Sequence, residues 1–433
     1  MFFERTTAMR LESISMDKPV SFKDLPNGMR YYGRFDRVAN ASGIGAKCGA
    51  IHTPPGKTGL PHFVEHTLCR ATRKYTVKEI DLTLRLYLGS GDDDWNVRID
   101  RNSTFYGHLM LLRPSHMRIC FDIFANMLRD RMIDQQGHLV EQSRIHNEYY
   151  LRGLDVIDEL LWDTIHDKAY QRNPARHRID CIPDELQSIS AQELIAFTKK
   201  YYVPRNMFMI VLGPRFKVAE RMAYKYFSDW PDLPAPKPDF DLQKCQELIS
   251  GQQVHIVERP GIGQHHVMLG FNAEKFGSPN HYSLQVLVQI LELLLVDELQ
   301  EHDRGVYRSP VMLSQSKYHG LITASFATKD PEFVEESVAR ITKACKQLQE
   351  NLVDPEVFKS ALYRVYYEYI GPFVNDANKL LEMIIDSAAN GDEDLVILHS
   401  GKQALESVTR ERIRALADRF LTQDFLTVHI RPA

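Results

Sequence analysis

Five residues, His62-Phe63-Val64-Glu65-His66, hold most of what a hydrolytic metal site needs. On a helix, His62 and His66 stand at i and i+4, so both imidazoles leave one face and can grip one ion. Glu65 is offset by one residue, within reach of a water on that ion, as a base has to be. Two such nitrogens suit zinc, which takes four ligands in a tetrahedron and keeps one position for water when it is catalytic. A third protein ligand is then required. The stretch from Gly137 to Glu148 offers two candidates, Glu141 and Glu148, about two helical turns apart on one face. One can bind metal while the other supports it from behind. Spacing from the histidines leaves open which does which.

These residues need elements to place them. Gly59-Leu60-Pro61 reads as a turn followed by a helix start. Leu60, Phe63, Val64, Thr67 and Leu68 give that helix an apolar face. Further amphipathic helices are marked by Ile119, Ile123, Phe124, Met127 and Leu128, by Phe333 through Cys345, and by Val357 through Tyr369. The chain also repeats itself. Leu186 through Tyr201 matches Leu405 through Phe420 without a gap, and each copy leads to an apolar strand, Met207 to Leu212 and Phe425 to Ile430. Ser190-Ala191-Gln192-Glu193 is a capping box. Between the copies, the prolines at 231, 234, 236 and 238 predict an extended linker. The reading is α+β with two homologous halves, each a mostly antiparallel sheet with helices packed on one face. Residues 1–228 form the half with the histidine box, 229–245 the linker and 246–433 the second half. The segment from Ser283 to Gln300 corresponds to the box and contains no histidine.

The 433 residues exceed one ordinary domain. Hydrophobic residues make up 44% and charged residues 25%, the balance of a globular protein. A net charge of −4 points to no nucleic-acid or anionic-membrane partner. The most apolar helix, Leu284 to Leu299, is interrupted by Gln285, Gln289, Glu292 and Asp297, so no membrane span is expected. Met1-Phe2-Phe3-Glu4-Arg5 lacks a signal-peptide core. The six cysteines show no C-x-x-C pairing and read as reduced thiols, Cys69 included, so a cytoplasmic location is expected.

Gly59 through Leu68, followed by Ala71-Thr72-Arg73-Lys74-Tyr75, resembles the M16 metallopeptidases, the family of pitrilysin, insulin-degrading enzyme and mitochondrial processing peptidase. Leu25 through Arg30 is similar to that family's opening strand and turn. Asp94-Trp95-Asn96 and Ser103 through Tyr106 resemble its Asn-Ala stretch and T-x-Y, with Val97 where alanine is usual. The resemblance covers essentially the whole chain and is strongest to the small two-domain members. It implies one Zn2+ per chain, held by His62, His66 and Glu148, with Glu141 in support and Glu65 as the base. Asp158-Glu159, Trp162-Asp163, His166 and Asn173-Pro174-Ala175-Arg176 align with family landmarks only if Glu148 is the ligand. The resemblance further implies halves that close on a clam-like chamber, a peptide bound as an added strand near Asn96, and Tyr307 in contact with substrate. Gln300 stands where the family carries an arginine, and Arg304 is one turn displaced, so a bidentate donor to the peptide is missing. A homodimer, or a heterodimer with a non-catalytic homologue that supplies the arginine, is the partner this departure suggests.

Other motifs compete poorly. Pro54-Pro55-Gly56-Lys57-Thr58 ends like a phosphate loop, but Ile51 stands where glycine is needed and two prolines remove amide donors. Gly43-Ile44-Gly45 opens a dinucleotide pattern whose third glycine, Gly49, comes one residue late. Asp92-Asp93-Asp94 reads as a solvated acidic loop and His265-His266 as structural. The expected function is zinc-dependent hydrolysis of short or unfolded peptides. The alternatives are the catalytic subunit of a two-chain leader-processing protease and a non-catalytic structural subunit, against which the intact box argues.

Overall fold

Two β-sheets, one from each half of the chain, make the frame. The computed structural model describes all residues except 1–18, 38–40, 69, 89–96, 108–113, 154–156, 238, 241–244, 246, 297–298 and 300–309. In the first half β1 (Ser21–Asp24), β2 (Arg30–Arg34), β3 (Ala41–Ala46), β4 (Val97–Ile99), β5 (Thr104–Gly107) and β6 (Met207–Leu212) align in the order β1-β2-β6-β3-β5-β4. In the second, β7 (Gln253–Arg259), β8 (His265–Asn272), β9 (Val311–Gln315), β10 (Gly320–Thr328) and β11 (Phe425–Pro432) align as β7-β11-β8-β10-β9. Matching β2, β6, β3, β5 and β4 to β7, β11, β8, β10 and β9 makes the two orders identical. Pairing directions agree too: β2 is parallel to β6 and β7 to β11, and the other pairs within the two sheets are antiparallel. The sequence repeat is therefore a repeat of topology.

The first half carries helices α1 (Leu60–His66), α2 (Val77–Leu88), α3 (Pro114–Arg129), α4 (Gln135–Gly153), α5 (Ile157–Ala169), α6 (Pro183–Ser188), α7 (Ala191–Tyr201) and α8 (Phe216–Phe227). The second carries α9 (His281–Leu295), α10 (Glu332–Glu350), α11 (Pro355–Tyr369), α12 (Pro372–Asn375), α13 (Ala377–Ala389), α14 (Val396–Glu406) and α15 (Arg410–Phe420). The capping box forms at α7, where Ser190 Oγ accepts from the Glu193 amide and the Glu193 carboxylate accepts from Ser190. Thr409 caps α15, its repeat partner.

β6 shows how one strand serves two layers. All six of its residues, Met-Phe-Met-Ile-Val-Leu, are buried, as a central strand covered on both faces requires. Met207, Met209 and Val211 face Phe121 and Phe124 of α3 and Ala219, Ala223 and Phe227 of α8. Phe208, Ile210 and Leu212 face the other way, onto Leu380, Ile384, Ile385 and Ala388 of α13, a helix from the second half. The exchange is mutual. Leu161 and Ile165 of α5, from the first half, pack on Met268, Leu426, Val428 and Ile430 of the second sheet. Each half thus stacks its own helices on one face of its own sheet and lends cover to the second face of its partner sheet: α13, with Phe373 of α12 and Leu398 of α14, on the first sheet, and α5 on the second. Gly43 and Gly45 on β3 leave room for neighbouring rings: a Cβ there would lie 2.3 Å from Phe105 and 2.3 Å from Phe208.

Polar contacts reinforce the seam. Lys47 reaches Glu393 at 2.6 Å, Arg30 reaches Asp394 at 2.6 Å, and Tyr32 Oη donates to the Glu393 carbonyl at 2.7 Å. A cavity of about 310 Å³ remains between the halves, with Asp100 and Ile179 on one side and His281, Gln315 and Asp386 on the other. Residues 229–237 run without helix or strand. Buried Trp230 anchors them, with Asn27 Nδ2 donating to its carbonyl at 3.0 Å. Among the described residues no helix is long and apolar enough to cross a membrane.

The lent helices bind the two halves into one folding unit. Ile384 of α13 is fully buried. Ile384→Ala is expected to lower the unfolding free energy by about 2–5 kcal/mol, read as a reduced denaturation midpoint. An unchanged midpoint would show that α13 does not hold the first sheet.

Candidate metal centre

Helix α1 has only seven residues, too few to persist alone. Packing holds it. Leu60, Phe63 and Val64 enter the first core, which turns the opposite face, with His62 and His66, toward α4. Gly59 starts the helix at φ 77°, a left-handed conformation suited to glycine. It is also a point of close approach: a Cβ on Gly59 would lie 2.3 Å from Cys181 Sγ. Cys181 Sγ donates to the Gly59 carbonyl at 3.2 Å. Pro61 occupies the first turn, where its missing N–H costs nothing. At the other end Arg131 donates to the Val64 carbonyl at 3.1 Å, a cation where the helix dipole favours one.

Helix α4 lies against α1. The His138 ring packs on Phe63 with centroids 5.1 Å apart, and its Nε2 contacts the Ile189 carbonyl at 2.8 Å. Gln142 donates to the Leu186 carbonyl at 3.1 Å. This fixes the rotation of α4, and Glu141 and Glu148 both face the histidines. Nε2 of His62 and Nε2 of His66 are 3.2 Å apart. Glu148 Oε2 lies 3.1 Å from Nε2 of His66 and 3.8 Å from Nε2 of His62. The ligand atoms of these three residues all fall within 4.8 Å of one another. Among the described residues, no other group of three histidine, cysteine, aspartate or glutamate side chains converges in this way. The Glu65 carboxylate stands 3.8 Å from both Nε2 atoms.

The far sides of the rings are also met by carboxylates. Glu141, 2% exposed, lies 3.4 Å from Nδ1 of His66, and it pairs with Arg70 and, at 3.0 Å, with Arg144. A carboxylate buried that deeply is tolerated because these cations compensate it. Asp180 lies 3.4 Å from Nδ1 of His62, itself buried.

The structure therefore brings together His62, Glu65, His66, Glu141 and Glu148. Asn96, Gln300 and Tyr307, along with Arg304, Cys69 and Asp92 to Asp94, lie outside the described residues. Sequence reasoning missed Asp180, Arg70 and Arg144. Asp180 sits in a bend without periodicity or motif, so no local signal marks it. The competing motifs have structural uses. Lys57 bonds the Ser188 carbonyl at 2.7 Å and pairs with Glu193 at 2.9 Å. His265 Nδ1 contacts His429 Nε2 at 2.9 Å across two strands of the second sheet.

Comparison with known proteins identifies the family. The family model described as Insulinase (Peptidase family M16) matches residues 37–181, and that described as Peptidase M16 inactive domain matches residues 188–363. Mitochondrial-processing peptidase subunit beta of Neurospora crassa is 25% identical over 233 residues, 50% of this chain and 46% of that protein. Zinc protease PqqE of Helicobacter pylori is 20% identical over 247 residues, 57% of this chain and 54% of that one. The matched region thus spans about half the length of these curated relatives. The crystal structure of a protease from Helicobacter pylori superimposes with a TM-score of 0.83 at 17% identity, covering 96% of this chain and 100% of that one. Two family models on consecutive stretches, and a shared fold over nearly the full length, place this chain in the M16 peptidase family.

Proposed function

We propose that this chain is a zinc-dependent metalloendopeptidase that cuts short or unfolded peptides. The observation that carries the reading is the convergence of His62 Nε2, His66 Nε2 and Glu148 Oε2 at separations of 3.1–3.8 Å. Ligand atoms bound to a tetrahedral zinc at about 2.0–2.1 Å lie roughly 3.3 Å from one another. The separations here bracket that value, so the donor set fits the ion. Glu65 and Glu148 also set two carboxylates on the Nε2 side of the rings, where a cation would be favoured. A relative whose printed name is zinc protease supports the choice of metal.

Zinc in such a set supplies a Lewis acid and brings the pKa of a water to about 7. Glu65, close to both Nε2 atoms, is placed to accept the proton of the attacking water and deliver it to the leaving amine. Glu141 steadies His66 from behind through Nδ1. The peptide itself has a seat. β4 is the edge strand of the first sheet, half-exposed and packed beside α1. Its outer edge, unpaired by any strand among the described residues, can take an extended peptide as an added strand, so affinity comes from the main chain and the scissile carbonyl is carried toward the metal ligands.

A second reading is favoured by Gln300, which stands where the family carries an arginine, and by similarity to a protein named as a subunit. In this reading the chain is the catalytic subunit of a two-chain peptidase, and its partner provides the cationic contact to the peptide.

Glu65→Gln is expected to keep stoichiometric zinc, measured by elemental analysis, while kcat/KM on a quenched fluorescent peptide falls by about 10²–10⁴-fold. Undiminished cleavage by this variant would remove Glu65 from the role of base. Chelation with 1,10-phenanthroline is expected to abolish hydrolysis and added Zn2+ to restore it. Hydrolysis that persists in the zinc-free protein would refute the metal reading. If the isolated chain cleaves its peptides no faster once a co-purifying homologue is added, the two-chain reading fails.

A further inference from the structure

Asp180 belongs to no helix or strand, yet its carboxylate reaches the back of a histidine 118 positions earlier in the chain (180 − 62 = 118). We propose that Asp180 is the positioning residue for His62: its carboxylate beside Nδ1 favours the ring proton there and so keeps Nε2 unprotonated and turned toward His66 and Glu148. The proposal rests on the metal reading above and adds to it a residue that chooses the tautomer of one ligand.

Three observations carry it. The first is direction. Asp180 Oδ1 is 3.4 Å from Nδ1 of His62, while Nε2 faces His66 at 3.2 Å. Nδ1 and Nε2 point away from one another, so a carboxylate at Nδ1 cannot join the ion that Nε2 would bind. It can only act through the ring. The second is enclosure. The Nδ1 atom of His62 is sealed from solvent. Water is therefore not at hand to choose which nitrogen keeps the proton, and the adjacent carboxylate makes the choice electrostatically. The third is the parallel at His66, where Glu141 stands 3.4 Å from Nδ1. Both imidazoles are backed at the same distance by a carboxylate from outside their own helix. One comes from α4, the other from the bend before α6.

The fold also explains how an irregular segment reaches the site. Cys181 packs against the Cα of Gly59, where no side chain intrudes, and bonds the Gly59 carbonyl. Thr58 N donates to Glu185 at 2.6 Å, tying the same segment down a few residues later. The backbone before α6 is thus clamped to the start of α1. Asp180, one residue before the clamp, is delivered to the first histidine of that helix. A charged partner on a ligating imidazole makes the ring a better donor and fixes its plane; losing such a partner typically costs about 10–100-fold in metal affinity or activity.

The test uses the full-length chain. Zinc affinity is measured by competition with a chelating indicator, at a temperature below the melting point of every apo variant. Asp180→Asn is expected to weaken zinc binding about 10–100-fold, and Asp180→Glu, which keeps the charge, to recover part of the loss. A second measurement needs no variant: in ¹⁵N-histidine-labelled, zinc-free protein at a pH where the ring is neutral, His62 is expected to carry its proton on Nδ1. Wild-type affinity in Asp180→Asn, or a His62 proton found on Nε2, would overturn the positioning role. A wild-type chain that takes up no zinc would instead overturn the metal reading itself, so the two failures are told apart.

Discussion

The centre depends on docking a helix too short to stand by itself. A seven-residue helix has barely passed nucleation and contributes little of its own stability. What orients His62 and His66 is the burial of Leu60, Phe63 and Val64 against the first core, together with the clamp between Gly59 and Cys181. Any rotation of α1 would take those apolar side chains out of the core and move both imidazoles off α4. The placement of the two imidazoles is thus set by hydrophobic packing.

Once α1 is fixed, electrostatics organises the rest. Glu65 and Glu148 stand on the Nε2 side of the rings, Glu141 and Asp180 on the Nδ1 side. In the proposed reading the two sides have different work: on the Nε2 side negative charge meets a cation and moves a proton, and on the Nδ1 side it orients the rings. Arg70 and Arg144 make it possible to bury Glu141 almost completely, because a desolvated carboxylate without cations would take up a proton instead of acting as an acceptor.

The exchange of α5 and α13 explains why the first half needs the second. The first sheet has one face covered by α3 and α8, and it would leave Phe208, Ile210 and Leu212 in water without α13. The second sheet depends on α5 in the same way. The two halves share one topology, but α9, the counterpart of α1, is filled with apolar residues. In α9, Leu284, Val286, Leu287, Ile290 and Leu291 are buried.

Much of this was legible in the residues. The i, i+4 spacing of His62 and His66, the period of the flanking apolar residues, the capping box at Ser190 and the gapless match of Leu186–Tyr201 to Leu405–Phe420 are local properties of the chain. Local properties follow from helix and strand periods, which act over a few residues. Tertiary structure decided the rest. It set Glu148 against the Nε2 atoms and Glu141 behind His66, where spacing had left the two glutamates interchangeable. It carried Asp180 to His62 from an irregular bend, and it sent α5 and α13 to the opposite sheets. Those outcomes depend on contacts between segments far apart in sequence. Such contacts arise from shape and burial, and no short-range period records them.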